Sequence, residues 1–189
     1  MLIRSLRIDD DLGDITEMLH RAYAALGARG LRYNATHQSP EVTARRLVRG
    51  YPILAENDGR IVGTLTVYRP DPNHTAMVYR DAETYHFGQF GVDPEFRGRG
   101  LGRALHSKAI DYAGGQGARF MALDTAAPAT ELIALYERWG YRICERISWD
   151  STNYESVLMR RKIDNVRGRS SSPTLASFAP RSAQEPRLS

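Results

Sequence analysis

The sequence predicts an α/β fold in which a mixed, mostly antiparallel sheet of seven strands is flanked by helices. Apolar residues alternate along the strand segments and recur every three to four residues along the helical ones, in the order β-α-α-β-β-β-α-β-α-β-β. The Asp58-Gly59 pair between two alternating segments predicts an antiparallel hairpin. A strand, a helix and a strand in succession from Glu83 to Asp124 favour one parallel pair, so the sheet is mixed.

The first half of the chain carries clear start signals for its elements. A strand at Leu2–Ile8 leads to Asp9-Asp10-Asp11, whose carboxylates are suited to cap a helix. The apolar positions of that helix are Ile15, Leu19, Ala22 and Leu26. Ser39-Pro40-Glu41 places a cap, a proline and an acid in the order that begins a second helix. The hairpin strands follow at Tyr51–Glu56 and Arg60–Tyr68.

The second half alternates strands and helices before ending in two strands. A fourth strand is predicted at Glu83–Val92, because Pro94 cannot continue a ladder. The remaining elements are predicted as a helix at Gly100–Ala113, a strand at Phe120–Asp124, a helix at Thr130–Trp139, and strands at Tyr141–Ile147 and Tyr154–Arg161. We expect one domain over residues 1–163. Residues 164–189, rich in Ser, Pro and Arg, are expected to be a disordered tail because they carry few apolar groups.

Composition excludes several classes of function. The hydrophobic fraction of 42% is ordinary for a soluble domain, and no apolar run approaches the roughly 20 residues that span a bilayer. Cys144 is the only cysteine, which excludes an internal disulfide and a cysteine-based metal cluster. The net charge of +4 is dispersed along the chain rather than concentrated on one element. We therefore expect a cytoplasmic protein with no metal, membrane or nucleic-acid partner.

The segment Phe90–Arg103 carries the chemistry. The alternate glycines Gly98, Gly100 and Gly102 lie between a strand and a helix, where they allow positive φ and close approach of a ligand. The following helix offers unpaired N–H groups and the positive end of its dipole. Together these features predict an anion site for a phosphate or pyrophosphate, to which Arg97 and Arg103 add charge.

Two other phosphate-binding motifs fit this segment less well. A Walker loop needs Gly-Lys-Ser/Thr, and Lys108 lies too far along the helix to serve. Gly100-Leu101-Gly102 lacks the third glycine of a dinucleotide fingerprint, and Asp93–Arg97 separate it from the preceding strand. Asp124 nevertheless lies about 20 residues further on, as that fingerprint requires, so this alternative stays open.

The same run resembles the signature Gln/Arg-x-x-Gly-x-Gly/Ala of the GNAT superfamily of N-acetyltransferases. Residues Arg97 to Gly102 match every fixed position, and Val92-x-Pro94 fits the usual approach to it. Tyr136 to Tyr141 resembles the family's Tyr-x-x-x-Gly-Phe box, with Tyr141 in place of Phe. The resemblance covers about residues 2–161 and implies a GNAT-like fold.

The resemblance implies acetyl-CoA as the co-substrate. It places backbone N–H groups around the pyrophosphate, and the main chain of Phe90 and Val92 along the pantetheine arm, where the fourth and fifth strands separate. The expected binding residues are Phe90, Val92, Arg97, Gly98, Arg99, Gly100, Leu101, Gly102 and Arg103.

Acetyl transfer to an amine also needs a base, an oxyanion donor and an acid. Tyr136 is expected near the sulfur as the acid, and the N–H of Val92 is a candidate oxyanion donor. Glu83 and His86 on the fourth strand are the candidate bases, beside an ordered water. Strand alternation places Glu83 and Gln89 on one face and His86 on the other.

The predicted function is direct transfer of an acetyl group from acetyl-CoA to a primary amine of a small molecule or a protein. The alternative is a non-catalytic acyl-CoA-binding module that uses the same glycine run. The sequence leaves open the acceptor, the acyl length and the choice between a monomer and a homodimer.

Overall fold

The computed structural model describes residues 1–164, so the tail predicted at residues 164–189 lies, except for Asp164, outside the described residues. Over this range seven strands form one sheet in the order β1-β2-β3-β4-β5-β7-β6. The strands are β1 (Leu2–Ser5), β2 (Tyr51–Asn57), β3 (Arg60–Tyr68), β4 (Thr84–Val92), β5 (Phe120–Ala126), β6 (Arg142–Ser148) and β7 (Glu155–Lys162).

Four helices cover this sheet within the described part of the chain, which confirms the predicted fold class and element order. They are α1 (Leu12–Ala28), α2 (Pro40–Val48), α3 (Leu101–Gly115) and α4 (Thr130–Arg138). The predicted starts of the first two helices are correct. The Asp11 carboxylate caps α1, and the Ser39 hydroxyl caps α2 immediately before Pro40.

The sheet is antiparallel except for the pair β4 and β5. Asp58 and Gly59 join β2 to β3 with φ of 50° and 79°, the two positive values that a tight hairpin turn requires. The predicted hairpin and the predicted parallel pair are therefore both confirmed.

Each face of the sheet has its own core. On one face, residues such as Leu65 and Phe87 pack against Leu105 of α3 and Tyr136 of α4. On the other face, Leu54 packs with residues of α1 and α2. Because neighbouring side chains of a strand point to opposite faces, both sides of the central strands are apolar.

The third helix extends further than predicted. Gly114 and Gly115 were expected to end it, but both are helical, and the chain leaves the helix at Gln116 and Gly117. Gly117 has a φ of 86°, the left-handed conformation that favours glycine after a helix. The helix therefore ends just before a glycine with positive φ, Gly117, which lies two residues beyond Gly115.

The parallel pair is short, and this feature positions the site. β4 and β5 pair only from Thr84–His86 to Phe120–Ala122, after which the strands separate. Close to this point Gln89 has a φ of 47° and the register between β4 and β3 shifts, as in a β-bulge. The result is a gap between the second half of β4 and the end of β5.

Candidate active site

A row of free backbone donors lies where β4 leads into α3. Gly98 and Gly100 have φ of 73° and 79°, and Gly100 caps the helix without a side chain. The first helical bond runs from the N–H of Ala104 to the carbonyl of Gly100, at 3.0 Å. Among the described residues, no partner accepts a hydrogen bond from any backbone N–H between Gly98 and Arg103. We call this row, residues 98–103, the cradle; it is suited to bind an anion.

The arginines in the cradle and directly before it have different roles. The Arg97 guanidinium donates to the carbonyl of Val92 at 3.3 Å and to the carbonyl of Ala22 in α1. It therefore fastens the cradle to β4 and α1, rather than lying free for the anion as expected. Arg99 and Arg103 are exposed and lie over the rings of nearby aromatic residues, Phe96 and Trp139. Both can supply positive charge beside the cradle.

Asp93 anchors the end of β4 just before the cradle. Its carboxylate is 1% exposed and accepts hydrogen bonds from Arg21 at 3.0 Å and from Arg60 at 2.8 Å. Burial opposes ionisation, but these guanidinium groups and the N–H of Glu95 outweigh it and lower the pKa of Asp93. This anchoring role of Asp93 was not predicted from the sequence, where the residue is only part of the segment before the glycines.

The backbone of β4 faces the gap between the strands. Asp93 donates its N–H to the carbonyl of Val62 in β3. Since successive backbone groups of a strand point in opposite directions, the N–H of Val92 points away from β3 and toward the gap. The carbonyl of Phe90, on the same side, accepts a hydrogen bond of 2.9 Å from the Tyr23 hydroxyl. The N–H of Val92 thus lies on the side of β4 that faces the gap, and its role as an oxyanion donor stays a prediction.

A cavity of about 760 Å³ occupies this gap and opens toward α1 and α2. Phe87, Gly88 and Gln89 of β4 line it on one side, and Asp124 and Thr125 of β5 on the other. Its further walls are largely aromatic: Tyr23, Tyr33, Tyr68, Tyr79, Tyr136, Trp149 and Tyr154. Such a pocket, which combines aromatic walls with several polar and charged groups, is typical of a small-molecule site.

Asp124 supplies a carboxylate to this cavity. The Tyr79 hydroxyl donates to its Oδ1 at 3.2 Å, and the Trp149 indole N–H donates to its Oδ2 at 3.3 Å. The carboxylate is open to the cavity although protein groups surround it on most sides, and this enclosure raises its pKa. From the sequence alone, Asp124 was a candidate only for the acid of a dinucleotide fingerprint. The sequence feature that could have indicated a site is this single acidic residue within the largely apolar strand Phe120–Ala126.

Tyr136 lies in the wall of the same cavity. It is 7% exposed and packs edge-on against Phe87 and Trp139, with ring centroids at 6.2 and 5.8 Å. Burial raises its pKa well above 10, so its hydroxyl keeps its proton at neutral pH.

The structure does not support the two predicted bases. His86 lines the cavity but is stacked between Tyr79 and Tyr68, with centroids at 3.9 and 5.2 Å, and burial lowers its pKa to about 3. A ring with that pKa is a poor proton acceptor at neutral pH. Glu83 lies outside the cavity and forms an exposed two-point pair with Arg119, at 3.0 and 3.1 Å.

The predicted alternation along β4 is wrong at Gln89. The positive φ of this residue turns its side chain toward Gln38 and Thr43 near α2, the side of the sheet on which Gly88 faces Arg46. Gln89 therefore does not share a face with Glu83, because a bulge interrupts the two-residue period.

Comparisons with known proteins agree with the fold and show the family. A family model described as the acetyltransferase (GNAT) family matches residues 14–141, which confirms the resemblance found in the sequence. An uncharacterized N-acetyltransferase of Methanocaldococcus jannaschii, MJ1207, is 46% identical over 140 residues. That match covers 70% of this chain and 57% of the relative, so the chain spans little more than half of this curated relative.

Solved structures share the fold at low identity. The ribosomal-protein-S18-alanine N-acetyltransferase of Escherichia coli superposes with a TM-score of 0.63 and 20% identity, covering 94% of this chain and 99% of the other. A GNAT family acetyltransferase of Elizabethkingia anophelis, solved with acetyl-CoA bound, gives a TM-score of 0.58 at 18% identity, covering 85% and 97%.

Residues 1–164 contain neither a candidate membrane span nor a candidate metal-binding group. None of the helices there has the length and apolarity needed to cross a bilayer. Within the same range, no three His, Cys, Asp or Glu side chains are grouped so as to hold a metal ion.

The lowered pKa of His86 predicts how stability depends on pH. Its pKa of about 3 in the folded protein lies below the unfolded value of 6.5. The contribution of His86 to the free energy of unfolding is therefore complete above pH 6.5 and is lost as the pH falls toward 3. His86→Phe keeps the aromatic stack and removes the ionisation. Between pH 6.5 and 5, we expect the free energy of unfolding of the wild type to fall about 2 kcal/mol more than that of the variant. Urea titrations at each pH measure this difference. An equal fall of the free energy of unfolding with pH in both proteins would contradict a neutral, buried His86 ring.

Proposed function

The chain belongs to the GNAT acetyltransferase family, and we propose that it transfers an acetyl group from acetyl-CoA to a primary amine bound in the cavity. One observation carries the proposal: β4, the strand that leads into the cradle, separates from β5, and the two strands line a cavity that contains Asp124 and Tyr136. The co-substrate and the acceptor can thus meet at one place from opposite sides.

The residues of the cradle fit the co-substrate. The free N–H groups of residues 98–103 would hold the pyrophosphate, aided by the dipole of α3 and by Arg99 and Arg103. The backbone of Phe90 and Val92 borders the gap along which the pantetheine arm would lie. Acetyl-CoA supplies the activated acetyl group as a thioester.

Asp124 is the proposed acceptor of the amine proton. An alkylamine is mostly protonated at neutral pH and must lose a proton before it can attack. A carboxylate with a raised pKa, open to the cavity, can first pair with the ammonium group and then accept its proton. Asp124 replaces Glu83 and His86 as the proposed base, because Glu83 lies outside the cavity and the buried ring of His86 is a poor proton acceptor.

The remaining steps use Val92 and Tyr136. The neutral nitrogen attacks the thioester carbonyl, a C–N bond forms, and the N–H of Val92 stabilises the oxyanion. The C–S bond then breaks, and the leaving thiolate takes the proton of the Tyr136 hydroxyl. Tyr136 recovers a proton as the acetylated nitrogen loses its second one, and Asp124 releases the first to solvent.

A charge introduced into the cradle tests the proposed binding of acetyl-CoA. Gly102 has ordinary helical φ, and a Cβ there would meet Phe90 at 3.4 Å, an ordinary contact, so the position tolerates a side chain. We expect Gly102→Asp to weaken acetyl-CoA binding at least about tenfold more than Gly102→Asn, because a repulsion of only 1.4 kcal/mol has that effect. Isothermal titration measures both affinities. Equal affinities would show that no phosphate lies at the cradle.

Removing the Tyr136 hydroxyl tests catalysis separately from binding. We expect Tyr136→Phe to lower kcat about 10²-fold or more, with acetyl-CoA affinity unchanged, because the thiolate loses its proton donor. Tyr112→Phe is the matched control, since Tyr112 stacks on Tyr51 at 3.8 Å, away from the cavity. Steady-state rates on an accepted amine measure both. A wild type that binds acetyl-CoA but acetylates no amine would favour the alternative, a non-catalytic binding module.

A further inference from the structure

Arg46 presents a positive charge to the cavity without an acidic partner. It extends from α2, and its Nη1 donates to Oε1 of Gln38 at 2.6 Å. The amide of Gln38 in turn donates to Gln89 and to Thr43, both at 2.7 Å. Gln38, Gln89 and Thr43 are all buried. A chain of neutral, buried groups therefore holds the guanidinium in place.

The absence of a counterion sets Arg46 apart from the arginines that anchor the fold. Arg4, Arg21 and Arg60 each have a carboxylate oxygen within 3.0 Å. Arg46 has none within 4.0 Å in residues 1–164, and three or more of its N–H donors remain for another ligand. A guanidinium in a cavity is stabilised when a carboxylate or phosphate binds it.

Two polar groups in the cavity wall near Arg46 also lack hydrogen-bond partners within residues 1–164. A Cβ at Gly88 would lie 3.6 Å from Nη2 of Arg46 and 3.4 Å from the ring of Tyr68, so both side chains lie against the backbone of β4. The Tyr68 hydroxyl and Nδ1 of His86 are buried in the cavity wall, and neither has a hydrogen-bond partner in the described part of the chain. Buried polar groups are normally satisfied, so these atoms indicate that a polar ligand binds here.

The charges of the cavity match a molecule with two opposite charges. Asp124 provides a carboxylate on β5, and Arg46 provides a positively charged guanidinium near β4. Arg49 and Arg69 add positive charge, and Asp71 is an exposed acid whose carboxylate accepts a hydrogen bond from the N–H of Asn73 at 2.9 Å. An amine with a carboxylate would therefore find a partner for each of its charges.

We propose that the acceptor is a small amine that carries a carboxylate, an amino acid or a close analogue, with Asp124 binding the ammonium group and Arg46 the carboxylate. The proposal rests on the proposed acetyl transfer. The aromatic rings of Tyr23, Tyr33 and Tyr154, which lie in a row with centroids at 5.3 and 5.0 Å and tilted planes, would contact the side chain of the acceptor. A peptide N-terminus carries an amide where a free amino acid carries its carboxylate, so it would leave Arg46 without an anion.

Pairs of amines that differ only in the carboxylate test this proposal. Phenylalanine, tyrosine, histidine and lysine are compared with phenethylamine, tyramine, histamine and cadaverine, and with the dipeptide Phe-Ala. For the wild type with acetyl-CoA, we expect kcat/KM to be about ten- to hundredfold higher for at least one amino acid than for its decarboxylated partner. Phe-Ala should react no faster than phenethylamine.

Arg46→Gln should remove this preference. We expect it to lower kcat/KM for the preferred amino acid about ten- to hundredfold and to leave the decarboxylated amine within about threefold, with unchanged acetyl-CoA affinity. Arg45→Gln is the matched control, because Arg45 is the neighbouring arginine of α2 and is exposed outside the cavity. It should behave as the wild type.

The possible failures can be told apart. Equal rates for the paired amines, a preference for Phe-Ala, or an equal effect of Arg46→Gln on both members of a pair would overturn the inference while acetyl transfer stands. If acetyl-CoA does not bind, or if no amine of the set is acetylated, the inference fails; the absence of acetyl-CoA binding also removes the proposed function.

Discussion

The site depends on the point where β4 and β5 separate. Three residue pairs, from Thr84–His86 to Phe120–Ala122, hold the two strands in a parallel ladder, and beyond them no ladder forms. A bulge at Gln89 coincides with this separation, and Asp93 fixes the far end of β4 through Arg21 and Arg60. The strand is thus held at both ends, and its second half presents backbone groups to the gap.

The two sides of the gap differ in polarity, and this difference organises the proposed chemistry. The cradle offers backbone donors without a neighbouring acid that accepts them, which suits a strongly anionic co-substrate. The cavity combines aromatic walls with Asp124 and Arg46, which suits a smaller molecule that carries both charges. Tyr136 stays protonated because burial disfavours its anion, and it lines the cavity. In the proposed mechanism, the two binding surfaces converge on one reaction centre.

Local signals in the sequence were sufficient for the fold and the cradle. Asp58-Gly59, Ser39-Pro40 and the alternate glycines act through the backbone of their own segment, so their roles follow from neighbouring residues. Local signals were not sufficient to choose a catalytic base. The proton affinity of His86, for example, depends on rings that folding brings against it. The roles proposed for Asp124 and Arg46 depend equally on which elements meet across the gap, a long-range property without a local pattern. The bulge at Gln89 likewise arises from pairing with β3.

Nuclear magnetic resonance of protein labelled with ¹⁵N-glycine tests most directly whether the cradle binds the co-substrate through its backbone. On titration with acetyl-CoA, the account predicts that the amide signals of Gly98, Gly100 and Gly102 shift together and saturate at one concentration. The signals of Gly30 and Gly115, which lie outside the cradle and the cavity, should stay in place. Binding of acetyl-CoA that shifts other glycine signals and leaves those of the cradle unmoved would contradict it.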